Sequence, residues 1–359
     1  MSHESEPGTA IRVPDLLQGT WTSLLILTYG VDLGFLERRL LSQLHRVPLR
    51  MVLADARRLT RRYQEAAQTG QQLAMANRTC LIGPIRHPRA AHAKAIFLSN
   101  PTEGQLLVGS GNLGHEGYAS PGELWHVFAY RDDRREHLAE FMTLRHLIDG
   151  LAQSQSLDPP TAQLLDLVWA QSTWLPAPNS YAPATVRHNR QTPFIDQLAD
   201  AVDFDVDVAT LYAPFHDPEC AAVSAVLTKF RPKRLRVLLT RDTSVHADRL
   251  HQIVTTTPGS TCERLEIRDE AATFIHAKWI HLAGTRREVM LTGSANLSYS
   301  ALLTTAEHGN IELGIISIRD AGGFDDLYEP LNLTAIASPR ADSTGRRNTL
   351  ITEVWCGQA

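Results

Sequence analysis

HAKAIFLSNPTEGQLLVGSGNL, residues 92–113, and HAKWIHLAGTRREVMLTGSANL, residues 276–297, follow one pattern. Each opens on His-Ala-Lys and closes on Gly-Ser-x-Asn-Leu, and in both the first glycine lies 17 residues beyond the histidine. Each block then meets a glutamate at the start of an apolar strand: Glu123, 14 residues after Gly109, and Glu312, 19 residues after Gly293. A lone HxK or GSxN means little. Two copies of both, at one spacing and in matching strand contexts, report a duplicated unit.

Working outward, apolar runs alternate with helical patterns on both sides, which predicts an α/β architecture. In the first half, Ser23–Tyr29, Leu49–Ala54, Ala95–Leu98, Gln105–Val108 and Leu124–Tyr130 read as strands, and Leu33–Leu44 and Arg134–Leu147 as helices. Residues 152–193 are rich in Pro, Ser, Ala and Gln, with one short helical pattern at Ala162–Trp169, and read as a linker. Beyond it, helices are expected at Phe194–Val202 and Ala221–Phe230. Strands are expected at Val206–Leu211, Leu235–Leu239, Leu265–Arg268, Phe274–Leu282, Val289–Leu291 and Ile311–Ile318. Ser338–Thr349 is polar, and Leu350–Trp355 has the character of a last strand. The expected organisation is a first half at 1–151, a bridging segment at 152–193, a second half at 194–337 and a polar tail at 338–359.

Composition sets the outer limits. With 359 residues, 43% hydrophobic and 21% charged, the chain has ample core for two ordinary domains or one duplicated unit. Its 35 basic and 39 acidic residues leave a net charge of −4, so any polyanion site has to be a local patch. The polar, acidic start and the shortness of the apolar runs argue against a signal peptide and against membrane insertion. Cys80, Cys220, Cys262 and Cys356 are widely spaced with no CxxC pair, which fits reduced thiols in a cytoplasmic setting better than zinc or a disulfide framework. No GxxxxGK[ST], GxGxxG or HExxH stands in the chain, so no cofactor and no metal is expected.

The repeated residues suit one chemistry. On a strand, His and Lys two positions apart share a face. An imidazole serves as nucleophile or proton donor near neutral pH, and an ammonium gives a phosphate oxygen a compact positive charge. Ser and Asn add neutral donors, and a carboxylate such as Glu123 or Glu312 can hold one ring nitrogen and leave the other for reaction. Together they suit the negatively charged transition state of a phosphodiester.

These paired HxK…GSxN blocks, each followed by a strand glutamate, resemble the phospholipase D superfamily, also called the HKD family. The resemblance implies two similar halves, mixed sheets flanked by helices, related by a pseudo-twofold axis with one active site at their junction. It implies a phosphohistidine intermediate formed by one of His92 and His276, protonation of the leaving oxygen by the other, and hydrolysis without a metal ion. Lys94, Lys278, Asn112 and Asn296 would then bind phosphate, supported by Ser110 and Ser294. The family's aspartate falls on Ser99 and Ala283 here and is missing, as it is in tyrosyl-DNA phosphodiesterases, which weighs against the lipid-cleaving branch.

The expected function is a nuclease acting on DNA ahead of RNA. The resemblance places such stand-alone chains in restriction or phage-defence systems beside a helicase or translocase ATPase. A phospholipid hydrolase or transphosphatidylase, and a non-catalytic scaffold of the same fold, are the alternatives. Because both halves lie in one chain, a homo-oligomer is optional. Arg57, Arg58, Arg61 and Arg62 are the candidates for contacting a nucleic-acid backbone, with Arg231, Lys233, Arg234 and Arg236 as a second run. Trp125, Trp169, Trp174 and Trp279 are candidates for base stacking or for core. His87, His126, His281 and His308 are read as structural or solvated.

Overall fold

The computed structural model describes residues 13–120, 122–177, 184–267, 274–325 and 331–336, with side chains undescribed in 264–267 and 331–336. The expected last strand and the polar segment before it lie outside these residues.

The first sheet has six strands in the order β3-β2-β1-β4-β5-β6. These are β1 (Ser23–Thr28), β2 (Leu49–Asp55), β3 (Leu81–Ile85), β4 (Ala95–Ser99), β5 (Glu103–Gly109) and β6 (Trp125–Arg131). The second has eight: β7 (Val186–His188), β8 (Val208–Tyr212), β9 (Arg234–Leu239), β10 (Thr261–Ile267), β11 (Trp279–Ala283), β12 (Arg287–Gly293), β13 (Leu313–Asp320) and β14 (Leu331–Ile336). Their order is β14-β10-β9-β8-β11-β12-β13-β7. Without its two edge additions, β14 and β7, the second sheet repeats the first strand for strand.

The registers repeat as well. Leu27 pairs with Ala95 in the first half and Tyr212 with Trp279 in the second, so each strand paired with the post-HxK strand meets it directly after the lysine. In both halves the first three strands run parallel and the next three antiparallel. Parallel strands buried on both faces need near-continuous apolar sequence, and SLLILT of β1 supplies it.

Most expected elements stand, and the differences have local causes. Leu33–Leu44 forms as helix Leu33–Phe35, a π-helical turn at Leu36–Leu40 and helix Leu41–Gln43. The helix expected from Arg134 starts at Leu138, because Arg135 and His137 take left-handed backbone that a helix cannot propagate through. The HxK tripeptides precede their strands instead of lying in them: the strands begin at Ala95 and Trp279, one residue beyond each lysine.

The described residues of 152–193 are divided between the halves. Helix Pro159–Gln171, capped by the Asp158 carboxylate on the Thr161 N–H, sends Leu165, Val168 and Trp169 into the core of the first half. Val186–His188 then joins the second sheet beside β13. That first core also includes Ile311, Leu313 and Ile315 from the second half, so one apolar interior runs across the junction. Among the described residues no helix is long and apolar enough to cross a membrane.

Candidate active site

Both histidines lie at this junction, and each is held by the other half. Nδ1 of His92 lies 3.1 and 3.0 Å from the two carboxylate oxygens of Glu312. Nδ1 of His276 lies 2.9 and 3.2 Å from those of Glu123. Backbone pairing sets these crossings. The His92 N–H donates to the Ile311 carbonyl at 2.8 Å and Ile311 N–H donates to Ala90 at 2.9 Å. On the other side, the N–H groups of His276 and Ala277 donate to the Gly122 carbonyl at 2.8 and 2.9 Å. Gly122 sits at φ +107°, and a Cβ there would meet the Phe274 carbonyl oxygen at 2.3 Å, so the close approach of the halves demands glycine.

An imidazole whose Nδ1 faces a carboxylate carries its proton on that nitrogen, which leaves Nε2 with its lone pair. Burial opposes protonation of both rings. It pulls His92 down to about 4 against the attraction of Glu312, and it lowers His276 as well, helped by the Lys278 charge. His92 also feels Lys278, and His276 feels Lys94, so the two motifs share one electrostatic site. Burial alone would raise both glutamates. The histidine, lysine and serine beside each outweigh it and hold Glu123 and Glu312 below the ordinary carboxylate range.

Both lysines are buried and turn their ammonium groups back onto the carbonyl of their own motif histidine, Lys94 at 2.5 Å from His92 O and Lys278 closely on His276 O. Burial draws Lys94 down to about 8 and Lys278 well below the usual lysine range. Asn112 anchors its Oδ1 on the Gly30 N–H at 3.2 Å, which leaves its amide N–H groups to donate elsewhere. Asn296, its counterpart, is buried.

The serines do something other than the sequence suggested. Ser110 and Ser294, expected to support phosphate directly, donate closely to Glu123 and Glu312 instead. Their oxygens accept the N–H of Leu124 and Leu313, each at 3.0 Å. With both functions used and no exposed surface, they orient the carboxylates.

The arginine cluster splits. Arg58 reaches the site, its Nε 2.8 Å from the Tyr29 hydroxyl, and Tyr29 lies edge-on to the His92 ring at 5.0 Å. Arg57 donates to the Pro88 carbonyl at 3.2 Å, four residues before His92. Arg61 and Arg62 pair with Glu65 on the exposed side of helix Ala56–Gln68, at 3.2 and 2.6 Å. In the second run, Lys233 pairs with Asp207 and Arg236 with Glu263, each at 2.6 Å. Trp169, Trp174 and Trp279 are core residues, and Trp125 gives its indole N–H to the Gly117 carbonyl at 3.1 Å. His87, His126 and His281 have structural partners in Ala306 O, Thr292 and Glu288.

Several neighbours escaped the sequence reading. Tyr29, Phe215 and Phe274 flank the two histidine rings, the latter two at 6.5 and 5.9 Å from His276. The repeat offered one clue: Val31 and His216 make equivalent bridges to Leu113 and Leu297, so the segments just before them correspond.

Solved structures share this fold. Yeast tyrosyl-DNA phosphodiesterase superposes with a TM-score of 0.55 over 85% of each chain at 12% sequence identity. Two histidine variants of that yeast protein match equally, one to arginine (11% identity, TM-score 0.55, 85% of each chain) and one to alanine (12%, 0.55, 85% of each chain). No protein-family profile matches the chain, and no curated protein does. The likeness establishes that the chain shares the fold of the yeast enzyme.

Proposed function

We propose that this chain is a phosphodiesterase that cleaves nucleic acid, DNA ahead of RNA, through two histidines and without a metal ion. One observation carries the reading: two His–Glu pairs, each with its own buried lysine, are brought to a single electrostatic site. A scaffold would have no use for six buried or half-buried ionisable groups, whose desolvation costs several kcal/mol apiece unless repaid. The arrangement of the fold neighbours, named as tyrosyl-DNA phosphodiesterase, supports DNA as the substrate.

In this reading His92 is the nucleophile, because it is the more deeply enclosed ring, with 5% of its side chain exposed against 15% for His276. Its Nε2 attacks phosphorus. The bond to the leaving oxygen breaks as His276, protonated on Nε2, passes that proton to it. Lys94 and Lys278, with the amides of Asn112 and Asn296, take up the charge on the non-bridging oxygens. Neutral His276 then accepts a proton from water as that water attacks the phosphohistidine, which frees His92 and restores the acid. The Arg58–Tyr29 contact beside His92 gives the approaching strand a cation on the first half. A cytoplasmic setting, a helicase or translocase partner, a role in phage defence and an optional homo-oligomer accompany this reading on the sequence resemblance alone.

The test is end-labelled single- and double-stranded DNA and RNA, incubated in EDTA with wild-type protein and with His276→Ala. Metal-independent cleavage lost in the variant supports the proposal. Headgroup release from phospholipid vesicles, with every nucleic acid left intact, replaces it with the lipid-hydrolase reading.

A further inference from the structure

Asn189, in the segment expected to be a linker, lies directly after β7 and has no exposed surface. Its Oδ1 accepts the backbone N–H of Glu312 at 2.9 Å. Its Nδ2 donates to the carbonyls of Asn310 at 2.7 Å and Thr304 at 3.2 Å. One amide therefore grips the chain on both sides of Ile311, the residue on whose carbonyl the His92 N–H docks. Asn310 adds a second hold, its Nδ2 3.1 Å from Oε1 of Glu312.

From this geometry we infer that Asn189 is a positioning residue for the attacking histidine, acting through Glu312. An amide is the side chain that fits. It presents an acceptor and two donors in one rigid plane, and here an N–H and two carbonyls wait for them. If the amide is removed, a buried N–H and two buried carbonyls lose their partner together, and the strand that carries Glu312 is free to shift. A small displacement is costly, because attack needs the ring held within tenths of an ångström and about 10–20° of its productive pose. The grip falls on one pair only. His276 depends on Glu123, which is placed by Gly122 on the opposite side of the junction.

The inference rests on His92 being the nucleophile, and the test separates the two. A p-nitrophenyl phosphodiester of thymidine has a leaving group that needs no proton, whereas an oligonucleotide has one that does. Asn189→Ala is expected to lower kcat on both substrates by the same factor, about 10²-fold, with KM little changed. Nitrogen-15 NMR of the histidine rings, with His92 identified by comparison with His92→Ala, supplies a reading independent of turnover. Wild type is expected to show His92 protonated on Nδ1 alone, and Asn189→Ala a mixture of tautomers. Asn189→Ser, which keeps a hydroxyl in the space, gives the same readings should the alanine variant unfold.

An unchanged His92 tautomer with full kcat, whatever the melting temperature, would overturn the proposal and leave Asn189 a purely structural residue. A loss seen only with the oligonucleotide would also overturn it, since the residue would then act on the proton donor. If wild type turns over neither substrate, the phosphodiesterase reading fails, and the tautomer still decides whether Asn189 positions His92.

Discussion

Glu312 grips the imidazole of His92 from 220 residues away, both carboxylate oxygens lying within 3.1 Å of Nδ1. Glu312→Gln keeps the shape and removes the charge that stabilises the ring as it gains positive character. Turnover is expected to fall about 10²–10⁴-fold, the scale of one acid–base group. Single-turnover kinetics check this, and a variant within a few-fold of wild type would show that the carboxylate only fills space.

The two histidines are expected to fail differently. His92→Ala abolishes attack, so no phosphoprotein forms. His276→Ala lacks the donor and the base for hydrolysis, so a p-nitrophenyl diester should give a burst of product and a phosphohistidine that persists. Acid-labile, base-stable label retained on the His276→Ala protein checks the assignment, and label on the His92→Ala protein would reverse it.

The pH profile follows from the direction of the shifts. His92 has to be neutral to attack, and burial has brought it to about 4. His276 has to be protonated to donate, and burial lowers it below its ordinary value near 6.5. Activity is therefore expected between these limits, falling as pH drops through about 4 and again as pH rises, before it reaches 6.5. The limbs of kcat/KM against pH report the pair as a whole. An optimum above pH 8 would contradict the arrangement.

Gly122→Ala carries its effect through the backbone. At φ +107°, with the Phe274 carbonyl 2.3 Å from the new Cβ, the added methyl pushes the halves apart where His276 docks. Loss of cleavage is expected with far-UV circular dichroism retained, because the sheets themselves are untouched.

His216 sets an acid limit on stability. It is buried and pulled down to about 4, whereas in the unfolded chain it titrates near 6.5. Between those values the unfolded state binds the extra proton, so stability falls as pH drops from 6.5 toward 4. Its equivalent in the first half is Val31. His216→Val is expected to remove about 1.4 kcal/mol per pH unit from that slope in urea titrations at pH 4–6. An unaltered slope would place the acid sensitivity elsewhere.

Much of this was legible in the chain. The 22-residue repeat announced the duplicated sheets and the matching histidines and lysines, because a motif at fixed spacing survives without knowledge of tertiary contacts; the glutamates follow outside it, at unequal intervals. Which glutamate serves which histidine was not legible, since docking between halves leaves no trace in spacing along the chain. β3 was hidden because Gly83 and Pro84 interrupt its apolar run. Both suit their place, the proline on an edge strand and the glycine where Thr161 packs 2.6 Å from a would-be Cβ. The proline-rich composition of 152–193 left the helical pattern at Ala162–Trp169 visible and concealed β7 and Asn189, because composition reports mean polarity and not the single buried amide. The arginines were indistinguishable in sequence; helix geometry points Arg58 at Tyr29 and leaves Arg61 and Arg62 beside Glu65.

The crossing of the two His–Glu pairs also fixes the order in which competence is acquired. Each lobe builds its sheet from its own strands, yet neither alone owns a finished acid–base pair. The catalyst comes into being only when the lobes close on one another, and on heating it should vanish as soon as they part.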